Sequence, residues 1–132
     1  MKFLAIVFGL IVLGSLVGCE SSTNAPDTGS LLSAARQNTL HVGDVAHTQL
    51  VVAGSDGGYW WYWKIDDTTK VKGLREEAAS TGAPGVDGAD ASQTVVFQAV
   101  ASGTAVVTFQ HYRSWMGDST ADSTLRYTIV VQ

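Results

Sequence analysis

From residue 39 to residue 131 the chain is written in strand code: short runs alternate apolar, β-branched or aromatic side chains with polar ones, and several of them end in clusters of Gly, Asp or Ser. The runs fall at 39–42, 45–53, 59–65, 70–74, 94–100, 105–111 and 125–131. Short strands at that spacing fold as an all-β antiparallel sandwich or small barrel, because each can bury only one face and needs a second layer to cover it. With 132 residues, 45% hydrophobic and 15% charged, there is one core and one domain, too short for a propeller or solenoid.

Period two assigns the faces. Tyr59, Trp61, Trp63 and Ile65 share one side of their run and Trp60, Tyr62 and Lys64 the other. Five aromatics cannot all enter one thin core, so Trp61 and Trp63 are expected to fill it and at least one of Trp60 or Tyr62 to stay partly exposed. Val95, Phe97 and Ala99, then Val107 and Phe109, then Leu125, Tyr127, Ile129 and Val131 are the other inward sets. Residues 75–80 read as a helical turn or as further edge strand, and Ala101-Ser102-Gly103-Thr104 as a hairpin connection. Residues 54–58, 81–92 and 113–123 are polar loops.

The start of the chain reads as a processing signal. Lys2 precedes an apolar run over residues 3–13, too short for a mature membrane span, and small residues lead into Cys19. Leu16-Val17-Gly18-Cys19 resembles a bacterial lipobox, which implies a signal peptide over residues 1–18 and a lipid on Cys19. Residues 19–38 are then the lipidated Cys and a flexible tether, small and polar over 20–30, and residues 39–132 the folded domain. Residues 31–36 form a helical turn or an irregular first strand. The expectation is a membrane-anchored protein of the cell envelope. Its single Cys, the alternative use of which is a free buried thiol, leaves no internal disulfide.

Chemistry is sparse. Twelve acidic and eight basic residues give a net charge of -4, and no Lys or Arg cluster offers a nucleic acid a footing. His41 and His47 lie six apart across a turn, which is no metal-ligand spacing. His111 continues an apolar strand face and reads as a packed ring with its nitrogens hydrogen-bonded at the sheet end. Ser114 has no nucleophile elbow, and the pairs Asp66-Asp67 and Glu76-Glu77 do not straddle a cleft. Asp87 and Asp90 depart from the calcium-loop spacing. The expectation is a monomer with no cofactor, metal or catalytic residue.

Loops on a rigid sandwich are the usual binding surface, and here they border Tyr59-Trp60-Trp61 and Trp115, the residue types enriched at interface hot spots. Trp115, between Arg113, Ser114, Gly117 and Asp118, has no alternating core position. It suits an exposed anchor, or a ring folded back over the sandwich end.

Five pieces in order carry a family resemblance: Val42-Gly43-Asp44 before a strand; Gly58-Tyr59 before Trp61; a Gly-rich loop; Ala101-Ser102-Gly103-Thr104; and Tyr112-Arg113-Ser114-Trp115 before the last strand. Over residues 39–132 the chain resembles the chagasin-type inhibitors of papain-like cysteine proteases. The resemblance implies an immunoglobulin-like antiparallel β-sandwich without a disulfide, with three loops at one end wedged into a protease cleft. The first loop usually reads Asn-Pro-Thr-Thr-Gly, an aromatic, one residue and Trp; Gly58, Tyr59 and Trp61 match, while Gly54, Ser55, Asp56 and Gly57 do not. The second usually holds a Gly-Gly pair; this chain offers residues 82–88, with Gly85, Val86, Asp87 and Gly88 as the contacts. The third usually reads Arg-Pro-Trp, where Arg113 and Trp115 match and Ser114 replaces the proline. The implied partner is a papain-like cysteine protease. The alternative is a noncatalytic envelope-anchored binding module without protease inhibition.

Overall fold

The structure, a computed structural model, describes residues 27–132. The expected signal peptide, the lipid on Cys19 and the first part of the tether lie outside the described residues. Eight strands follow: β1 (Ser30–Leu31), β2 (Asn38–Leu40), β3 (Val45–Val52), β4 (Tyr59–Ile65), β5 (Val71–Ser80), β6 (Ala91–Ala99), β7 (Gly103–Arg113) and β8 (Ser123–Val131). They build two four-stranded sheets, β1-β3-β6-β5 and β2-β8-β7-β4, packed as an immunoglobulin-like sandwich.

The alternation sets the core. Ala46, Thr48, Leu50 and Val52 of β3 point inward, as do Gln93, Val95, Phe97 and Ala99 of β6. They meet Ala105, Val107 and Phe109 of β7 and Tyr127, Ile129 and Val131 of β8. Full burial of a Phe, Ile or Val side chain contributes about 1.5–3 kcal/mol, so Phe97, Phe109 and Ile129, with no exposed surface, weigh most. An edge-on aromatic series crosses this core, with ring centroids 5.4 Å apart for Trp63 and Phe97, 6.4 Å for Phe97 and Phe109, and 5.6 Å for Phe109 and Tyr127.

The face assignment of β4 holds, since Trp61, Trp63 and Ile65 pack on the core, yet Trp60 and Tyr62 are half-buried as well. The reason is the sheet edge. The three indoles tie β4, the edge of one sheet, to the other: Trp60 Nε1 and Trp63 Nε1 donate to the Glu76 carboxylate of β5 (3.1 and 2.8 Å), and Trp61 Nε1 donates to the Val51 carbonyl of β3 (3.0 Å). The Gln93 amide adds a third donor to Glu76 at 2.9 Å.

Of the two readings of residues 75–80, the structure takes the edge strand: β6 offers them a free edge, and Arg75 through Ser80 pair with Val96 through Ala91 after a bulge between Gly73 and Arg75. Other expectations change. Residues 101–104 are not a hairpin turn. Both edges of β6 are already occupied by β3 and β5, so the chain crosses to the other sheet to begin β7. The six long strands pair antiparallel, as expected, and the two short strands join the sheets in parallel, β1 beside β3 and β2 beside β8. The flexible tether does not extend to residue 38. Leu32 is buried in the core and its N–H donates to the His47 carbonyl at 2.8 Å. Asn38 donates through Nδ2 to the Ser33 and Thr128 carbonyls and accepts from the Ser33 N–H. A buried leucine and an edge in need of partners draw this segment in.

Candidate functional site

Strand register gathers three loops at one end. In the first sheet Val52, where β3 ends, lies opposite Ala91, where β6 begins, and Ala91 lies opposite Ser80, where β5 ends. In the second sheet Tyr59, the start of β4, lies opposite Arg113, the end of β7. The connections over residues 53–58, 81–90 and 114–122 therefore leave the sandwich side by side.

The first loop turns at once, with the Asp56 N–H donating to the Ala53 carbonyl at 3.1 Å, and then passes through Gly57 and Gly58 at φ of +61° and +93°. That left-handed backbone suits glycine and strains other residues. Both neighbours grip this loop. On one side the Gly54 N–H donates to the Asp90 carboxylate at 3.0 Å, and a methyl group on Gly54 would stand 2.0 Å from the Gly88 carbonyl oxygen. On the other side a methyl on Gly58 would stand 2.5 Å from the Trp115 ring, and the Arg113 guanidinium lies 3.5 Å from the Asp56 carbonyl.

The second loop is closed at its base, where the Thr81 N–H and hydroxyl both donate to the Asp90 carbonyl. At its tip Ala83-Pro84-Gly85-Val86 makes a turn, the Val86 N–H donating to the Ala83 carbonyl, with Gly85 at φ +83° after a proline, as a type II turn requires. Val86 is thereby held out at 56% exposure, beside exposed Asp87, and Gly88 follows at φ +73°. The third loop turns on the Met116 N–H, which donates to the Arg113 carbonyl, and lifts Ser114 and Trp115 outward. Trp115 is 70% exposed and Met116 49%. Of the two places open to Trp115, the structure takes the outer one, with one ring edge resting on Gly58.

Beneath the loops sits His111, the last inward residue of β7 and nearly buried. Its ring stacks on Tyr59 (centroids 5.0 Å apart, 27° between planes) and tilts against Trp61 at 4.7 Å. Nδ1 lies 2.8 Å from the Asp122 carboxylate and Nε2 3.7 Å from the Asp56 carboxylate. The Arg113 guanidinium covers Tyr59 at 4.6 Å from the ring centroid, a cation–π contact. Tyr59 and Trp61 thus belong to the floor of the loops, and Gly54, Ser55, Asp56, Gly57, Gly58, Gly85, Val86, Asp87, Gly88, Arg113, Ser114 and Trp115 to the loops or their rims.

Sequence spacing found the three loops but not what ties them together. Asp90 and Asp122 hold groups 36 and 11 residues away, distances at which no local pattern signals a partner. The packed-ring reading of His111 is matched by its burial and by the hydrogen bond at Nδ1, whereas Nε2, 3.7 Å from Asp56, is not hydrogen-bonded. Among the described residues no group of three or more His, Cys, Asp or Glu side chains is placed to hold a metal ion.

The domain is thus an immunoglobulin-like sandwich, with a single Cys and so no internal disulfide, that holds three loops together at one end and exposes a tryptophan there. Residues 39–130 match the sequence model described as chagasin family peptidase inhibitor I42, and the chain belongs to that family. Solved structures share the fold. The crystal structure of the cysteine protease inhibitor EhICP2 from Entamoeba histolytica is 20% identical, with a TM-score of 0.63 over 78% of this chain and 95% of that one. The solution structure of Amebosin is 18% identical, with a TM-score of 0.55 over 79% and 98%. PbICP-C, solved in complex with falcipain-2, is 12% identical, with a TM-score of 0.56 over 80% and 93%. Curated protein sequences give no match.

Proposed function

We propose that the protein is a reversible inhibitor of papain-like cysteine proteases that occludes the active-site cleft with the three loops. The observation that carries this reading is the composite edge itself: Trp115 and Val86 stand exposed on either side of a first loop that both neighbours hold in place. An apolar anchor on a fixed backbone loses little freedom on docking, which is where affinity is gained. The family membership supplies the partner class.

The first loop would approach the protease's catalytic Cys and His, and the loop's shape accounts for inhibition without turnover. A protease of this class cleaves an extended segment; residues 53–58 instead make a tight turn with two consecutive left-handed glycines, so no peptide bond there lies in extended register. Arg113, Ser114 and Trp115 would cover one flanking subsite and Gly85, Val86, Asp87 and Gly88 the other. The described chain enters the sandwich at Gly29 beside Val45, the end of β3 far from the first loop. A lipid on Cys19 would tether the domain to a membrane of the cell envelope by that remote side and leave the loops free.

The test is an inhibition assay of the purified protein against papain-like proteases. The expected result is competitive, reversible inhibition, with the inhibitor recovered uncleaved and equal binding to protease whose catalytic Cys has been alkylated with a small group. Absence of inhibition at micromolar protein, or cleavage within residues 53–58, overturns the reading. The lipid assignment has its own test: Cys19→Ala is expected to abolish detergent-phase partitioning, and unchanged mass and partitioning overturn it.

A further inference from the structure

We propose that His111 is a positioning residue for the first loop, acting through Asp56, and that it tightens its hold when it gains a proton. The proposal rests on reading residues 53–58 as part of the protease-facing surface. Five groups surround the imidazole. Asp122 precedes β8, Asp56 lies in the first loop, Tyr59 and Trp61 belong to β4, and Arg113 stands two residues along β7. The charged and titratable ones are two carboxylates, one guanidinium and one phenol. The guanidinium is committed to the Tyr59 face and the Asp56 carbonyl, not to either carboxylate.

The two ring nitrogens are not equivalent. A carboxylate 2.8 Å from Nδ1 requires a proton there, because an ionised carboxylate only accepts. In the neutral ring Nε2 then carries a lone pair, and that lone pair faces the Asp56 carboxylate 3.7 Å away. Two acceptors face each other, and the contact is unfavourable. One proton on Nε2 turns the same contact into a charge-assisted hydrogen bond within reach of a small movement. The pair is shielded, with 11% of the His111 side chain and 35% of the Asp56 side chain exposed, so salt screens it less than a surface pair. Histidine is the side chain that changes charge across mildly acidic to neutral pH. The loop is therefore held while Nε2 carries a proton and Asp56 is ionised, and it is released when the ring gives that proton up. An interaction of about 1 kcal/mol corresponds to about fivefold in an equilibrium.

Two measurements on the full-length protein test this. The first needs no protease: amide hydrogen exchange of residues 54–59 from pH 5 to pH 8, corrected for intrinsic rates and compared with the His111 titration followed by NMR. Protection is expected to fall about fivefold with rising pH, with the midpoint of the His111 titration. In Asp56→Asn, whose amide donates to the neutral ring, the slope is expected to vanish or reverse. His111→Gln gives a second flat control, but only if it folds, which is why the conclusion stands on Asp56→Asn. Protection that does not vary with pH in the wild type, or varies equally in Asp56→Asn, overturns the proposal. The second measurement is the ratio of inhibition constants for wild type and Asp56→Asn at pH 5.5 and pH 8, in which the protease's own titrations cancel. A ratio shifting about fivefold toward the wild type in acid supports the proposal, and a constant ratio overturns the link to binding. Normal pH-dependent protection without any inhibition would leave the positioning of the loop standing and overturn the inhibitor reading instead.

Discussion

Trp115 closes over Gly58 so tightly that a methyl group at Gly58 would stand 2.5 Å from the indole. The contact joins the first and third loops, and only glycine satisfies it, since Gly58 also holds φ at +93°. The family motif's glycine therefore has an internal reason to be here, separate from any contact with a partner.

Gly58→Ala is expected to combine backbone strain with displacement of the Trp115 ring. The strain costs about 1–3 kcal/mol. The measurement is a denaturant midpoint read alongside tryptophan emission, with both expected to shift and protease binding to weaken. Unchanged stability and emission would show that the loop absorbs the methyl group.

Trp115→Ala separates binding from folding. With 70% of the residue exposed, its removal is expected to leave the unfolding midpoint nearly unchanged. Under the proposed function it weakens binding by about 2 kcal/mol or more, roughly thirtyfold in Kd. Inhibition lost only in proportion to an unfolded fraction would contradict the anchor role.

Trp61 and Trp60 are neighbours with different duties. Trp61 packs on the core and ties the two sheets through the Val51 carbonyl, so Trp61→Ala is expected to cost about 3 kcal/mol or more. Trp60 contributes one hydrogen bond to Glu76 from the sheet edge, and Trp60→Ala is expected to cost about half as much or less. Urea denaturation decides, and equal losses would mean that strand parity does not govern this edge.

Burial pushes the Tyr127 phenol above its ordinary value near 10. The folded state keeps this proton to higher pH than the unfolded state does. The contribution is therefore complete below about pH 10 and is lost as pH rises through the raised folded value. Urea midpoints between pH 8 and pH 11 are expected to fall less steeply for Tyr127→Phe than for the wild type. Parallel declines would assign alkaline unfolding to other groups.

The central strands were legible from alternation, because a half-buried strand writes its two faces into every second residue. Phe97, Phe109 and Ile129 could be placed in the core on that basis. Less legible were the edges. Nothing in residues 75–80 distinguishes a helical turn from a strand until β6 presents an unpaired edge, and nothing in Ala101-Ser102-Gly103-Thr104 reveals that β6 is already flanked on both sides. Likewise nothing in residues 31–36 decides between a helical turn and an irregular first strand until a core is there to receive Leu32.

The sequence by itself determined the period-two faces, the positions of the three loops and the pieces of the family motif, because these depend on residues close together along the chain. The tertiary structure alone decided which loops touch. It set Gly54 against the backbone at Gly88, Gly58 under Trp115, and Asp56 beside a His111 already committed to Asp122. Those contacts join residues 11 to 57 positions apart. They exist because strand register brings the ends of both sheets together, and register is fixed by how the whole core packs, not by any local run of residues.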